Sequence, residues 1–265
     1  MTKILILMTC FFHFEFIEQT IKSIVNSKGD FTVDVYFLEN PSKYSPQIAA
    51  IAKQYNVKHF ICNGNIACQV NVVFIKNCSI ESLSQYDFIA LTESDVVLDP
   101  YAIDEAIKIL KKYNKFDLCS VDLHLNLNKY KSIKGKTIKW VSKGIVCTDY
   151  VKGSTGFQFI LFRKHVLYEL INNILTKKLC ARIARGVKNF YGLSDTNLKQ
   201  FCDRRGKSWV KTKYNKLDHI GWETALDKKS NLTQEYVNIK NANLKGKIRI
   251  NINYNNYKLT EQIQL

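Results

Sequence analysis

Through residue 122 the chain repeats one rhythm: a short apolar run, a polar break, then a stretch whose apolar positions recur every three to four residues. Lys3 to Thr9, Thr32 to Leu38, Val57 to Ile61, Phe88 to Leu91 and Asp117 to Asp122 have the length and the Ile, Val and Phe content of strands. Between them, Phe16 to Val25 places Ile17, Ile21, Ile24 and Val25 on one helical face. Ser45 and Pro46 open a helix through Tyr55 with Ile48, Ile51 and Ala52 inward. The turn Asn63-Gly64-Asn65 leads into a helix over 66–78, and Ala102 to Tyr113 is amphipathic. Strands separated by helices do not pair as tight hairpins. The rhythm therefore predicts an α/β fold with a mostly parallel sheet and right-handed crossovers.

Past residue 125 the rhythm changes. Lys129 to Lys143 is basic and loop-like, Gly144 to Asp149 contains a short strand, and Gly153-Ser154-Thr155-Gly156 precedes an apolar strand, Phe157 to Phe162. Val166 to Leu175 reads as a helix. Lys177 to Phe190 (KKLCARIARGVKNF) also fits one, with Leu179, Ile183, Val187 and Phe190 on an apolar face and basic residues mostly elsewhere. Such a helix would either be solvated or lie on an anionic membrane. After residue 225 Asn and Lys are abundant, which sets boundaries at 1–125, 126–225 and 226–265.

The fourth strand stops at two carboxylates, Glu93 and Asp95, separated by Ser94. Residues two apart in an extended chain point the same way, so both acids project from the strand's carboxyl end, where open α/β sheets bind ligands. Two oxygen donors on one edge suit Mg²⁺ or Mn²⁺. A solvated acidic loop is the alternative. The second strand ends likewise in polar residues, Glu39 and Asn40.

Lys and Arg number 39 against 23 Asp and Glu, a net charge of +16 that attracts phosphates without choosing their carrier. Eight cysteines form no C-x-x-C pair and several lie in apolar runs, which fits a reducing cytoplasm. The N-terminal apolar run meets His13 and Glu15 early and reads as a first strand rather than a signal peptide. No stretch approaches the ~20 apolar residues needed to span a bilayer.

These features in this order resemble glycosyltransferases of the GT-A fold, especially the family 2 group that uses nucleotide-activated sugars. ILILMTCFFHFEFIEQTIKSI is similar to that family's opening strand and helix, VDVYFLENPS to its second strand, and CNGNIACQVNVVF with TESD to the segment leading into the metal strand. GSTGFQFILFRK resembles the strand lining the acceptor side. YGLSDTNLKQFCDRRGKSWV resembles the segment that places an acid at the start of a helix, and LDHIGWE carries a His placed like a metal ligand of some members.

The resemblance implies a Rossmann-like GT-A fold and a UDP- or GDP-sugar donor with Mn²⁺ or Mg²⁺. It further implies a glycan or lipid-linked acceptor, and a place in surface polysaccharide or glycoconjugate synthesis. Asp95 would anchor the metal, with Glu93, which stands where the family motif has Asp, and His219 as partners. Asp195 would be the catalytic base, and Thr9, Glu39, Asn40, Asn63, Asn71 and Ser94 would contact the donor. The residues themselves leave other roles open: a helix cap for Ser194 or Asp195, turn chemistry for Asn63, a surface helix for Asn71 and a structural role for His219.

A basic protein binding nucleic acid or another polyanion is the competing class. No nucleic-acid motif is evident, and aromatics do not interleave with one basic stripe, so no nucleic-acid partner is expected. A nucleotidyltransferase would carry a Gly-rich, Arg-containing N-terminal loop that this sequence lacks.

Overall fold

A computed structural model describes residues 1–11, 14–78, 81–124, 145–153, 158–179, 181–183, 187–190, 192–220 and 253–262. The first strand, β1 (Thr2–Cys10), lies mid-sheet and is followed by α1 (Phe14–Val25), β2 (Phe31–Glu39), α2 (Ser45–Gln54) and β3 (Lys58–Cys62). A 3₁₀ turn at Ala67–Gln69 leads into α3 (Val70–Asn77), and the chain returns as β4 (Phe88–Glu93), bends, and continues as β5 (Val96–Leu98) into α4 (Ala102–Lys112) and β6 (Leu118–Leu123). Next come the short β7 (Ile145–Val146) and β8 (Val151–Lys152), β9 (Phe159–Arg163) and α5 (Lys164–Leu175). A separate pair, β10 (Ala181–Ile183) and β11 (Val187–Phe190), precedes α6 (Asp195–Arg205), β12 (Trp209–His219) and β13 (Leu259–Glu261).

Strand order across the main sheet is β13-β3-β2-β1-β4-β9-β6-β12-β8-β7, with β5 paired to β12 off this path. β3, β2, β1 and β4 run parallel, as do β6 and β12. From β1 the chain winds outward through β2 and β3, then α3 carries it back to β4 on the other side of β1. Strand order therefore reverses between β1 and β4, which opens a crevice at their carboxyl ends. In the register there, Thr9 of β1 faces Glu93 of β4.

β1 is apolar on both faces because both are covered. Ile4, Ile6, Met8 and Cys10 join Ile17 and Ile21 of α1, Ile48 of α2 and Ile103 of α4 in one core layer. Leu5 and Leu7 join Val70 and Val73 of α3, Leu167 of α5 and Leu198 of α6 in the other. That two-sided burial produces a near-continuous hydrophobic strand rather than an alternating one.

Two features depart from the sequence expectations. β9 enters antiparallel between β4 and β6, so the parallel sheet has an inserted reversed strand. The amphipathic helix expected over Lys177–Phe190 is replaced by β10 paired antiparallel to β11. Ile183, Val187 and Phe190 favour strand, and Gly186 weakens a helix between them. Among the described residues of this stretch no helix forms. No helix among the described residues is long and apolar enough to cross a membrane.

The described end of the chain returns to the sheet edge. β13 pairs antiparallel with β3, and Asn63 ties it down, donating to the Asn256 carbonyl at 3.2 Å and accepting from the Lys258 amide at 3.0 Å. Ser154 to Phe157, including the expected first residue of the strand that became β9, the basic stretch 129–143 and residues 226–252 lie outside the described residues.

Gly29, between α1 and β2, has φ of 152°, and a Cβ there would sit 2.5 Å from Cε1 of Phe31 and 2.7 Å from Cβ of Asp104. Gly29→Ala is expected to destabilise the fold by about 1–3 kcal/mol through strain and overpacking. Urea unfolding checks this, and an unchanged midpoint would show that the turn relaxes without cost.

Candidate active site

The carboxyl end of β4 brings three expected ligands together. After Glu93 the chain bends at Ser94 and Asp95 and enters β5, which pairs antiparallel with β12 in a register that sets His219 against Val96. The Ile220 amide donates to the Asp95 carbonyl at 2.9 Å, closing the junction. One ligand atom from each of Glu93, Asp95 and His219 lies within 4.8 Å of the others. His219 Nε2 is 3.1 Å from Asp95 Oδ2 and 3.6 Å from Glu93 Oε2. All three remain partly accessible, with side-chain exposures of 41%, 24% and 12% for Glu93, Asp95 and His219.

The bend is held from below by α1. Thr20 Oγ1, fully buried, accepts from the Val96 amide at 3.1 Å, and Ser23 Oγ accepts from the Leu98 amide at 3.2 Å. These hydroxyls satisfy amides next to the acids without using the acids themselves. Thr20 was legible in principle: it is a polar residue three after Ile17 and four before Ile24, on a helix face that is otherwise apolar.

The cluster's electrostatics favour bound protons or a bound cation. Glu93 is pushed up to about 7, first by loss of solvation in the crevice and then by repulsion from Asp95, with His219 opposing and Asp195 adding to the rise. Burial pulls His219 down, but its hydrogen bond to Asp95 and the charges of Asp95 and Glu93 outweigh this and raise it above its ordinary value. Two carboxylates and an imidazole crowded together share positive charge in whatever form is available. Oxygen donors with one imidazole suit Mn²⁺ or Mg²⁺ better than a soft metal. The residues present fit a divalent ion.

Asp195 is the first residue of α6. Ser194 is the N-cap, its Oγ accepting from the Asn197 amide at 3.2 Å, so capping falls to Ser194 and not to Asp195. Asp195 is exposed, and its charge reaches both Glu93 and Cys68. Burial pushes the Cys68 thiol up to about 12, with Glu93 and Asp195 adding to the rise, which keeps it neutral beside the acids.

The remaining expected donor contacts divide. Asn71 is buried on α3 rather than on a surface helix, and its Nδ2 donates to Thr9 Oγ1 at 2.8 Å and to the Cys68 carbonyl at 3.1 Å. This pair stands beside Glu93 at the switch point. Ser94 lies half-buried in the bend between the two acids. Glu39 and Asn40 are wholly buried and engaged internally. Glu39 binds His59 at 2.6 Å and Ser45, while Asn40 accepts from the Ile66 amide at 2.8 Å and donates to the Ala67 carbonyl at 3.1 Å. Asn40 thereby shapes the loop that enters α3, while Glu39 joins the end of β2 to β3 and to the start of α2. Asn63 belongs to the C-terminal tether described above.

No protein-family model matches the chain. An uncharacterised protein, L137, of Acanthamoeba polyphaga mimivirus is 26% identical over 214 residues, covering 78% of this chain but only 27% of that protein's length. Among solved structures, residues 1–349 of S. aureus TarS superpose with a TM-score of 0.54 at 12% identity, covering 89% of this chain and 71% of that one. The same TarS fragment was also solved with UDP-GlcNAc. The mannosyltransferase PcManGT from Pyrobaculum calidifontis, solved with GDP-Man and Mn²⁺, superposes with a TM-score of 0.55 at 9% identity, covering 82% and 56% of the two chains. The chain has the GT-A-like fold of these glycosyltransferases.

Proposed function

We propose that this chain is a metal-dependent glycosyltransferase that moves a sugar from a UDP- or GDP-sugar to a hydroxyl of a glycan or lipid-linked acceptor, in the assembly of a surface glycan or glycoconjugate. The observation that carries this reading is the convergence of Glu93, Asp95 and His219 on one point at the switch between β1 and β4. Fold alone does not fix function, and the site supplies the argument.

Asp95 and His219, with Glu93 as the adjustable third donor, would hold Mn²⁺ or Mg²⁺. The ion would supply Lewis-acid stabilisation of the charge that develops on the departing diphosphate. Thr9 and Asn71, joined to each other beside Glu93, and Ser94 within the bend would contact the nucleotide part of the donor. Asp195 would accept the proton of the attacking acceptor hydroxyl as its oxygen closes on the anomeric carbon.

A thermal-shift panel of UDP- and GDP-sugars with and without Mn²⁺ tests the reading, since a ligand that binds only the folded chain raises its apparent stability. Stabilisation by one nucleotide sugar that requires the metal is the expected result. Steeply salt-dependent RNA or DNA binding with no nucleotide-sugar response would overturn it.

A pH dependence follows from the same cluster. Both Glu93 and His219 hold protons more tightly when folded than when unfolded. Their protonation stabilises the metal-free chain at low pH, and that contribution is lost as pH rises through about 7 for Glu93 and through the raised value of His219. A divalent ion must displace those protons. Mn²⁺ should therefore stabilise the chain more at pH 8 than at pH 6, and calorimetry should show proton release on binding. A metal affinity independent of pH over this range would remove Glu93 and His219 from the ligand set.

A further inference from the structure

Two residues before Asp195, Leu193 is held in a buried clamp. Gln69, at the end of the 3₁₀ turn before α3, is 3% exposed and bonds both backbone groups of Leu193. Its Oε1 accepts from the Leu193 amide at 2.6 Å, and its Nε2 donates to the Leu193 carbonyl at 2.7 Å. The same Oε1 also accepts from Tyr254 Oη at 3.0 Å, and Tyr254 is 6% exposed. Leu193 stands two residues before Asp195, and Asn197 draws in the neighbouring Gly192 carbonyl at 2.6 Å.

We infer that Gln69, locked in place by Tyr254 of the C-terminal segment, is a positioning residue for Asp195. The inference rests on the assignment of Asp195 as base, and three features support it. An amide that pairs with both the N–H and the C=O of one residue fixes that residue in orientation as well as distance. Hydrogen bonds away from water are stiff, because no solvent partner competes for the donors and acceptors. Finally, α3 ties both halves of the site to one reference: Asn71, two residues after Gln69, bonds Thr9, and Thr9 is in register with Glu93. The separation of base and metal ligands is thus set through the start of α3. Tyr254 makes the C-terminal segment part of this arrangement, held by the β13–β3 pairing and by Asn63.

The test compares Gln69→Ala, Gln69→Glu and Tyr254→Phe in the full chain. Gln69→Glu keeps the shape and the acceptor but cannot donate to the Leu193 carbonyl. Tyr254→Phe keeps the ring and removes the hydroxyl. Hydrogen exchange by mass spectrometry is read on peptides spanning 192–198 and, as a control, 88–95. Mn²⁺ affinity is read by paramagnetic resonance, and turnover by hydrolysis of whichever UDP- or GDP-sugar stabilises the wild-type chain. Gln69→Ala should speed exchange at 192–198 but not at 88–95, leave Mn²⁺ affinity and donor KM unchanged, and lower kcat by ~100-fold, the effect of displacing a catalytic group by about 1 Å. Tyr254→Phe should do the same more weakly, lowering kcat about fivefold for one lost hydrogen bond. In an Asp195→Asn background, Gln69→Ala should cause no further loss, because it acts through Asp195.

Unchanged exchange at 192–198 in all three variants would overturn the inference, as would an undiminished kcat in Gln69→Ala or an additive loss in the double variant. If Gln69→Ala does not fold, Gln69→Glu and Tyr254→Phe carry the same readouts. Full hydrolysis by Asp195→Asn would instead show that Asp195 is not the base, while the exchange arm would still decide whether Gln69 fixes the loop.

Discussion

Asp95→Ala is expected to reduce nucleotide-sugar turnover by at least about a thousandfold while leaving the chain folded. A Lewis acid at the departing diphosphate is worth several kcal/mol, and about 4 kcal/mol corresponds to a factor of ~10³ in rate. Asp95 bonds His219 at 3.1 Å and shares the crevice with Glu93, so its loss would leave a Glu–His pair too poor to retain the proposed ion. The fold should survive because the Asp95 side chain is partly exposed and its removal relieves repulsion against Glu93. Two titrations report the change independently of turnover. The His219 pKa should fall, since a charge and a hydrogen bond that raise it are gone. The Glu93 pKa should also fall, since a repelling carboxylate is gone. Imidazole and carboxyl NMR titrations measure both, and unimpaired turnover in the purified variant would refute the metal-anchoring role.

The parts of the fold legible in the sequence are those where local pattern and tertiary role coincide. β1 and β4 are buried on both faces, so their apolar runs are unambiguous, and the polar residues that follow mark the end of the sheet where the crevice lies. The direction and partner of a strand leave no such trace, which is why the antiparallel entry of β9 between β4 and β6 could not be read. The pair β10 and β11 departs from the helical expectation for a specific reason. Leu179, Ile183 and Val187 are spaced by four, close to one helical turn, yet Leu179 precedes β10, Ile183 ends it and Val187 opens β11, so the spacing runs across elements and not along one. Only β-branching and Gly186 favoured the strand.

The candidate site divides along the same line. Glu93 and Asp95 were visible because two acids interrupt an apolar run. Their meeting with His219, more than a hundred residues later, depends on the pairing of β5 with β12. Glu39 and Asn40 have the same outward pattern at the end of β2, yet His59, Ser45 and the loop at Ile66 consume their polar atoms. Buried polar groups find partners wherever the fold supplies them, and sequence cannot say whether the partner is a ligand or a neighbouring strand. Gln69 and Tyr254 lie 185 residues apart and carried no signal at all.

Asp195→Asn separates the role proposed for Asp195 as base from the scaffold that holds it. Asn keeps the size of the side chain and its place in the first turn of α6, and Ser194 still caps the helix. The lost charge–dipole interaction should cost about 0.3–1 kcal/mol of stability. Turnover should fall by ~10²–10⁴-fold, the usual contribution of a positioned general base, while donor KM and, at pH 8 where Glu93 is already ionised, Mn²⁺ affinity stay close to wild type. The charge change also reaches the metal cluster. Asp195 raises Glu93, so neutralising it should lower the Glu93 pKa and shift proton release on Mn²⁺ binding to lower pH. A kcat loss with unchanged metal affinity assigns proton transfer to Asp195, because removing a metal ligand would weaken Mn²⁺ binding as well. Equal wild-type and variant rates across the pH range would exclude Asp195 as the base and leave it as a charge that tunes Glu93.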